Sequence, residues 1–444
     1  MLLILTTLVL ILFSGARPND ELANLPDFRV ICRIVQHAAA GFENPAATVV
    51  PDPEQLAALA SKLAILNDNN ETRFKDEKTR TAHGITGKEQ RFNAKPGTGH
   101  LRAKLLQLEN LTKQLAAEAA SNKTEIEKAT EDANNLLAEA VYGEGATFKD
   151  SKDPERAITN ERKDKLFGTQ PDQTKNCGTT GAGKSQNANV GITLANDIYC
   201  LCLIGATTTK ICDVTTPAAA IGTQLSTPAS SSRDRFAALI KTCGPKPRHT
   251  TTSDLTALIE KFHTRLGSHF TTDATNDEIK FVLGRAAAPA TGCDATNKQS
   301  CVNYKAYLGA DPPQELRWVQ KLQLAIQKIK TTEAPRAKLN DALNRLAALT
   351  ETAKLTYGEG LTSAVQEPVL KVTGESNGQS KAEHVEAEEE CNKKEKESEC
   401  TANPKCAWDE KSADPTKRYT LSKVSKKSTQ TGEGISREII YNWL

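Results

Sequence analysis

From Leu101 onward, one series of positions steps by four and three without interruption: Leu101, Leu105, Leu108, Thr112, Leu115, Ala119, Asn122, Ile126, Ala129, Ala133, Leu136 and Ala140. Ten of the twelve are apolar, and the residues between them are mostly Glu, Lys, Gln and Asn. That is the pattern of a helix burying one narrow stripe, a coiled-coil seam. Tyr142-Gly143-Glu144-Gly145 supplies the stop, because glycine takes the left-handed conformation that closes a helix. At 1.5 Å per residue such a rod is roughly 60 Å long, and it cannot bury its stripe without a partner.

The partner is predicted near the other end. After Asp311-Pro312-Pro313 a helix starts at Gln314 with Leu322, Ile326 and Ile329 on one face, and Pro335 is expected to kink or break it. Leu339, Leu343, Leu346, Thr350, Ala353 and Tyr357 then repeat the spacing, with a second stop expected at Tyr357-Gly358-Glu359-Gly360. The pattern predicts a mainly α chain built on a long antiparallel helical hairpin; two unrelated helices of an ordinary bundle are the alternative. A shorter helix over Pro53–Leu66 (Leu56, Leu59, Leu63, Leu66) packs alongside. Between the long helices, from Asp150 to Pro313, periodicity is weak and Thr, Ala, Gly and Ser abound. This reads as a loop-rich lobe with a short helix over Leu255–Leu266, and with loops at Thr227–Ser232 and Ala286–Gly292.

The cysteines tell where the chain folds. Leu2 to Phe13 is apolar apart from Thr6 and Thr7 and runs into Ser14-Gly15-Ala16, so residues 1–16 are expected to be a secretory signal peptide, too short to span a bilayer. In an oxidising compartment cysteines pair. Eight lie in the body (Cys32, Cys177, Cys200, Cys202, Cys212, Cys243, Cys293, Cys301), all but Cys32 in the lobe, and all are expected to be oxidised. Cys293 and Cys301 form the best local pair, since Gly292 and a polar loop allow closure. A net charge of +2 and 5% aromatic residues give no reason to expect nucleic acid.

Candidate chemistry is sparse. Gly178-Thr179-Thr180-Gly181-Ala182-Gly183-Lys184-Ser185 fits the phosphate-binding pattern G-x-x-x-x-G-K-[ST]. That loop needs a buried strand before it, and Pro171 to Cys177 cannot be one, so the match is read as a surface loop. Cys200-Leu201-Cys202 with Cys212 lacks zinc-ligand spacing. The histidines are scattered; His263 and His269, six apart, do not share a helical face. No nucleophile elbow appears. No catalytic, metal or cofactor residues are assigned, and no enzymatic activity or cofactor is expected. Asn70, Asn110 and Asn122 begin glycosylation sequons. Asn70 sits in a polar stretch, Asn110 off the seam and Asn122 on it, so occupancy is expected to fall in that order.

Residues 371–390 read as a polar, then acidic, exposed linker. Cys391, Cys400 and Cys406-Ala407-Trp408 follow in a stretch too poor in apolar residues to make a core without disulfides. Leader, helical rod, cysteine-tethered lobe, acidic linker and a small module with C-x-W together resemble a variant surface glycoprotein of African trypanosomes. Gly183-Lys184-Ser185 with Asn196-Asp197-Ile198-Tyr199-Cys200-Leu201-Cys202, then Gly292-Cys293 to Cys301 and Trp318, resembles the B-type N-terminal domain of that family.

The resemblance implies an N-terminal domain over 17–370 and a C-terminal one over 391–423. It also implies a GPI-anchored homo-oligomer, dimer or trimer, packed as a dense coat that varies to evade host antibodies. A ligand-binding receptor on the same scaffold, taking up a host serum protein, is the alternative. Two features depart from the family pattern. Tyr419 stands where a fourth module cysteine is expected, which would leave one of Cys391, Cys400 or Cys406 free or bridged to another chain. Residues 424–444 lack the apolar stretch that a GPI signal needs. A frameshifted or pseudogene-derived copy would explain both, and the product of this reading frame is expected to be secreted or degraded rather than held on the surface.

Overall fold

The computed structural model describes residues 21–47, 52–68, 70–85, 99–179, 183, 185–204, 210–213, 225, 230–269, 277–285, 293, 300–365, 406–408 and 419–421. Among the described residues, in chain order, the α-helices are α1 (Leu25–Ala40), α2 (Pro53–Leu66), α3 (Glu71–Lys75), α4 (Glu77–Ala82), α5 (Gly99–Tyr142), α6 (Pro154–Ala157), α7 (Lys163–Phe167), α8 (Gln173–Cys177), α9 (Leu194–Ile198), α10 (Ser230–Lys241), α11 (Thr252–Arg265), α12 (Lys305–Leu308), α13 (Arg317–Lys330) and α14 (Glu333–Val365). Two short antiparallel ribbons join them: β1 (Val282–Arg285) with β2 (Ser300–Asn303), and β3 (Cys406–Trp408) with β4 (Tyr419–Leu421). The fold is mainly α. The chain divides into two compact units, residues 1–57 with 112–346, and residues 58–111 with 347–444.

In the first unit the stripe on α5 is buried as its spacing predicts. Leu115, Ala119, Asn122, Ile126, Ala129 and Ala133 all lie inside. Toward its end the helix loses its exposed side. Leu137, Ala138, Ala140, Val141 and Tyr142 are all buried, and Leu136 is only partly so. Gly143, at φ +83°, then ends α5, and its N–H donates to Glu139 O at 2.8 Å. A side chain here would be blocked, since a Cβ on Gly143 would stand 2.1 Å from the Lys165 carbonyl oxygen.

Helix α13 runs antiparallel to this half of α5. Lys321 pairs with Glu139 at 2.6 Å and Lys328 with Asp132 at 3.1 Å, so the partner falls by seven positions as the first rises by seven. Its buried Trp318, Leu322, Ala325 and Ile326 face the core. The break before α14 falls at Thr331 and Thr332 rather than at Pro335. Pro335 lies in the first turn of α14, where no intrahelical N–H is required.

The unit's core is completed by α1 and α11. Phe28, Val30, Ile31, Ile34, Val35 and Ala38 are buried, so α1 is surrounded on most sides. Pro26 stands in its first turn without cost to hydrogen bonding, and Gly41 (φ +71°) ends it. Helix α11 begins with a capping box, in which Thr251 and Asp254 satisfy each other's backbone N–H groups. The stretch expected as a loop at Thr227–Ser232 is corrected in part: Ser230 opens α10, which buries Phe236 and Leu239. Ala286–Gly292 and the leader lie outside the described residues.

The second unit has its own apolar centre. Leu63, Ile65 and Leu66 of α2, Leu101, Leu105 and Leu108 of α5, and Ala353 and Tyr357 of α14 meet there. The stop expected after Tyr357 does not occur, because α14 continues to Val365. A glycine fits inside a helix at a cost of about 1 kcal/mol relative to alanine, and Gly358 lies within the helix with open space where a Cβ would stand. In the terminal ribbon Cys406 lies opposite Leu421 and Trp408 opposite Tyr419. Cys391 and Cys400 fall outside the described residues.

Candidate functional site

The lobe is shaped where α9 gives way to a π-helical turn, Tyr199–Leu203. Thr193 caps α9, its hydroxyl accepting from Asn196 N at 3.0 Å and donating to Leu166 O at 2.8 Å. The turn closes with Ile204 N donating to Tyr199 O at 2.8 Å. Two residues apart on a helical turn, Cys200 and Cys202 point away from one another and take different partners. Cys200 pairs with Cys177 at the end of α8, and Cys202 with Cys212. Cys293 pairs with Cys301 on β2, and Cys32 of α1 with Cys243 just past α10. All eight body cysteines are therefore in disulfides.

Beneath the turn lies a buried polar network. Asp197 Oδ2 accepts from the Tyr304 hydroxyl and from Trp318 Nε1, each at 2.8 Å, and Oδ1 accepts from Asn196 Nδ2 at 3.1 Å. Burial pushes the Asp197 carboxyl up to about 7; the hydrogen bonds, including one from the Gly191 backbone, pull the other way. Asn196 also donates to Asn176 O at 3.0 Å, and Asn176 donates to Phe167 O at 2.8 Å. Asn24 donates to Leu201 O and to Ser300 O, at 2.8 and 2.6 Å, and accepts from Arg285 N at 2.9 Å. It thereby joins the entry to α1, the π turn and the β1–β2 ribbon.

A second network went unread in the sequence. Asp27, fully buried in the first turn of α1, accepts from Arg265 Nε at 2.7 Å and from His269 Nε2. Arg285 Nε donates to His269 Nδ1 at 3.2 Å, which places the ring proton on Nε2. The partners of Asp27 are 238 and 242 residues away in sequence, so no local spacing could show them. His263 lies apart, 3.3 Å from Glu315.

The phosphate-loop pattern takes another form here. It follows the short helix α8, not a strand. Gly178 (φ +96°) is pressed against Asn303, its carbonyl accepts from Cys293 N at 2.8 Å, and Thr179 N donates to Asn187 Oδ1 at 2.8 Å. The rest of the pattern falls largely outside the described residues. Among those described, no group of three or more His, Cys, Asp or Glu could hold a metal ion. Asn70 caps α3 through Oδ1 and is exposed, and Asn110 is exposed on α5. Asn122 is 7% exposed and its Nδ2 donates to Glu118 O at 2.8 Å.

Residues 61–348 match the trypanosomal VSG domain, well over half of the chain. The chain belongs to the trypanosomal VSG domain family. That VSG match spans α5, the whole cysteine-tethered lobe and α13, and leaves out α1 with Cys32. The VSG domain is a structural component of a cell-surface coat, not an enzyme family. No curated protein matches the VSG chain. No described helix in it is long and apolar enough to cross a membrane.

Proposed function

We propose that this VSG-domain chain is a coat antigen. It acts by bulk, packing and a variable surface that host antibodies read, without catalysis. The match over residues 61–348 carries the reading. The buried carboxylates support it, since Asp27 and Asp197 are enclosed and each is occupied by donors that hold helices together. A homo-oligomer, dimer or trimer, fits the large apolar side chains left exposed, among them Leu324 at 47% and Leu355 at 63%. Glycans are proposed on Asn70 first and Asn110 second, with Asn122 left bare.

A pull-down from host serum separates this reading from a receptor on the same scaffold. Immobilised full-length chain should retain no serum protein stoichiometrically other than specific antibody. Saturable retention of one serum protein would replace the coat reading with uptake.

A further inference from the structure

A cleft of about 740 Å³ opens in the first unit between α1, the end of α10 and α11. Its walls combine two chemistries. Leu22, Leu25, Pro26 and Phe28 bring apolar surface, while Arg29 and Arg33 of α1 and Lys261 and Arg265 of α11 bring four cations. Each helix thus carries a like-charged pair at i,i+4 facing one space, a spacing that is locally unfavourable on an isolated helix. Two of the four are neutralised or held. Arg33 Nη1 donates to Gln36 Oε1 at 2.9 Å and to Pro245 O at 3.1 Å, and Arg265 is fixed on Asp27. Arg29 and Lys261 are exposed and have no carboxylate partner among the described residues. Asp213 is the acidic residue on the described lining. The Cys32–Cys243 disulfide ties α1 to the end of α10, so the walls stand in place before anything binds.

We propose that this cleft binds a small anionic amphiphile, its single acidic head between Arg29 and Lys261 and its apolar body along Leu22, Leu25 and Pro26. The volume lies in the range of small-molecule sites and is far too small for a membrane surface. A bare anion would leave the apolar wall wet, and a neutral lipid would leave two cations unanswered. Leu22, on the lining, holds φ +63°, a conformation that non-glycine residues rarely adopt. The site is independent of the coat role.

Dodecanoate, titrated calorimetrically as a monomer into the full chain, is the probe; acetate lacks its tail and dodecanol its charge. One-to-one saturable binding is expected, weaker by at least about tenfold for both comparators and for the Arg29→Glu/Lys261→Glu chain. Arg29→Gln/Lys261→Gln should fall between. Both residues are exposed, and unchanged circular dichroism checks that each variant folds. Absence of saturable binding would overturn the site, as would equal affinity in the charge-reversed chain or equal affinity for dodecanol. Capture by anionic phospholipid vesicles without monomer binding would also overturn it, in favour of a surface patch.

Discussion

Asp197 shows how far a single residue can depend on the whole lobe. Its pKa of about 7 stands above the ordinary 3.8, so the folded chain takes up that proton before the unfolded chain does. The contribution to stability is complete below about pH 4 and is lost as pH rises through 7, about 4 kcal/mol in all at most. Thermal melts between pH 4.5 and 8 should show the wild type losing stability relative to Asp197→Asn, which cannot titrate. Parallel curves for the two chains would mean that the carboxyl stays ionised throughout. The motif around Asp197 is plain in the sequence, but its partners Tyr304 and Trp318 lie 107 and 121 residues away, so its burial was not legible there. The sequons were more readable. Asn122 falls on the seam by spacing alone, and glycopeptide mapping should find it bare while Asn70 carries glycan. A fully modified Asn122 would place that face of α5 in solvent.

Among the elements, the stripes were the easiest to read, because a narrow apolar face on a polar helix leaves a strict period. Helix α1 left no long stripe, since it is short and buried on most sides, with only Pro26, Arg29 and Arg33 marking a narrow open face. The π turn at Tyr199–Leu203 likewise has no local signature, and glycine at 358 and 360 suggested a stop that tertiary packing did not impose. Replacing Leu115 or Ile126 with Asp buries a charge at positions 4% and 0% exposed. Each should cost about 3–5 kcal/mol, read as a lowered midpoint in urea. Wild-type midpoints would refute the seam. Gly143→Ala tests the end of α5 separately. It combines a positive φ with a Cβ against a backbone carbonyl, and should cost more than about 2 kcal/mol while Gly358→Ala is neutral or stabilising.

At the scale of the molecule, the cysteine count announced disulfides but not their pairing, because connectivity depends on the tertiary path. The local pair Cys293–Cys301 closes only eight residues of separation, whereas Cys32–Cys243 spans 211. On chain-entropy grounds the first contributes about 3 kcal/mol and the second about 5. The Cys32→Ser/Cys243→Ser chain should therefore melt lower than Cys293→Ser/Cys301→Ser, and the reverse order would point to strain or to residual structure in the unfolded chain. The mainly α architecture and the family follow from periodicity and motifs together, while both polar networks and the basic cleft required the folded chain.

Living cells decide whether the folded surface is a coat antigen. Antibodies raised against the folded full-length chain should stain trypanosomes expressing it uniformly and densely, and should fail to stain cells whose coat is a different VSG. Antibodies that bind the isolated chain but leave expressing cells unstained, or that stain every coat type alike, would show that the chain is not a variable coat antigen.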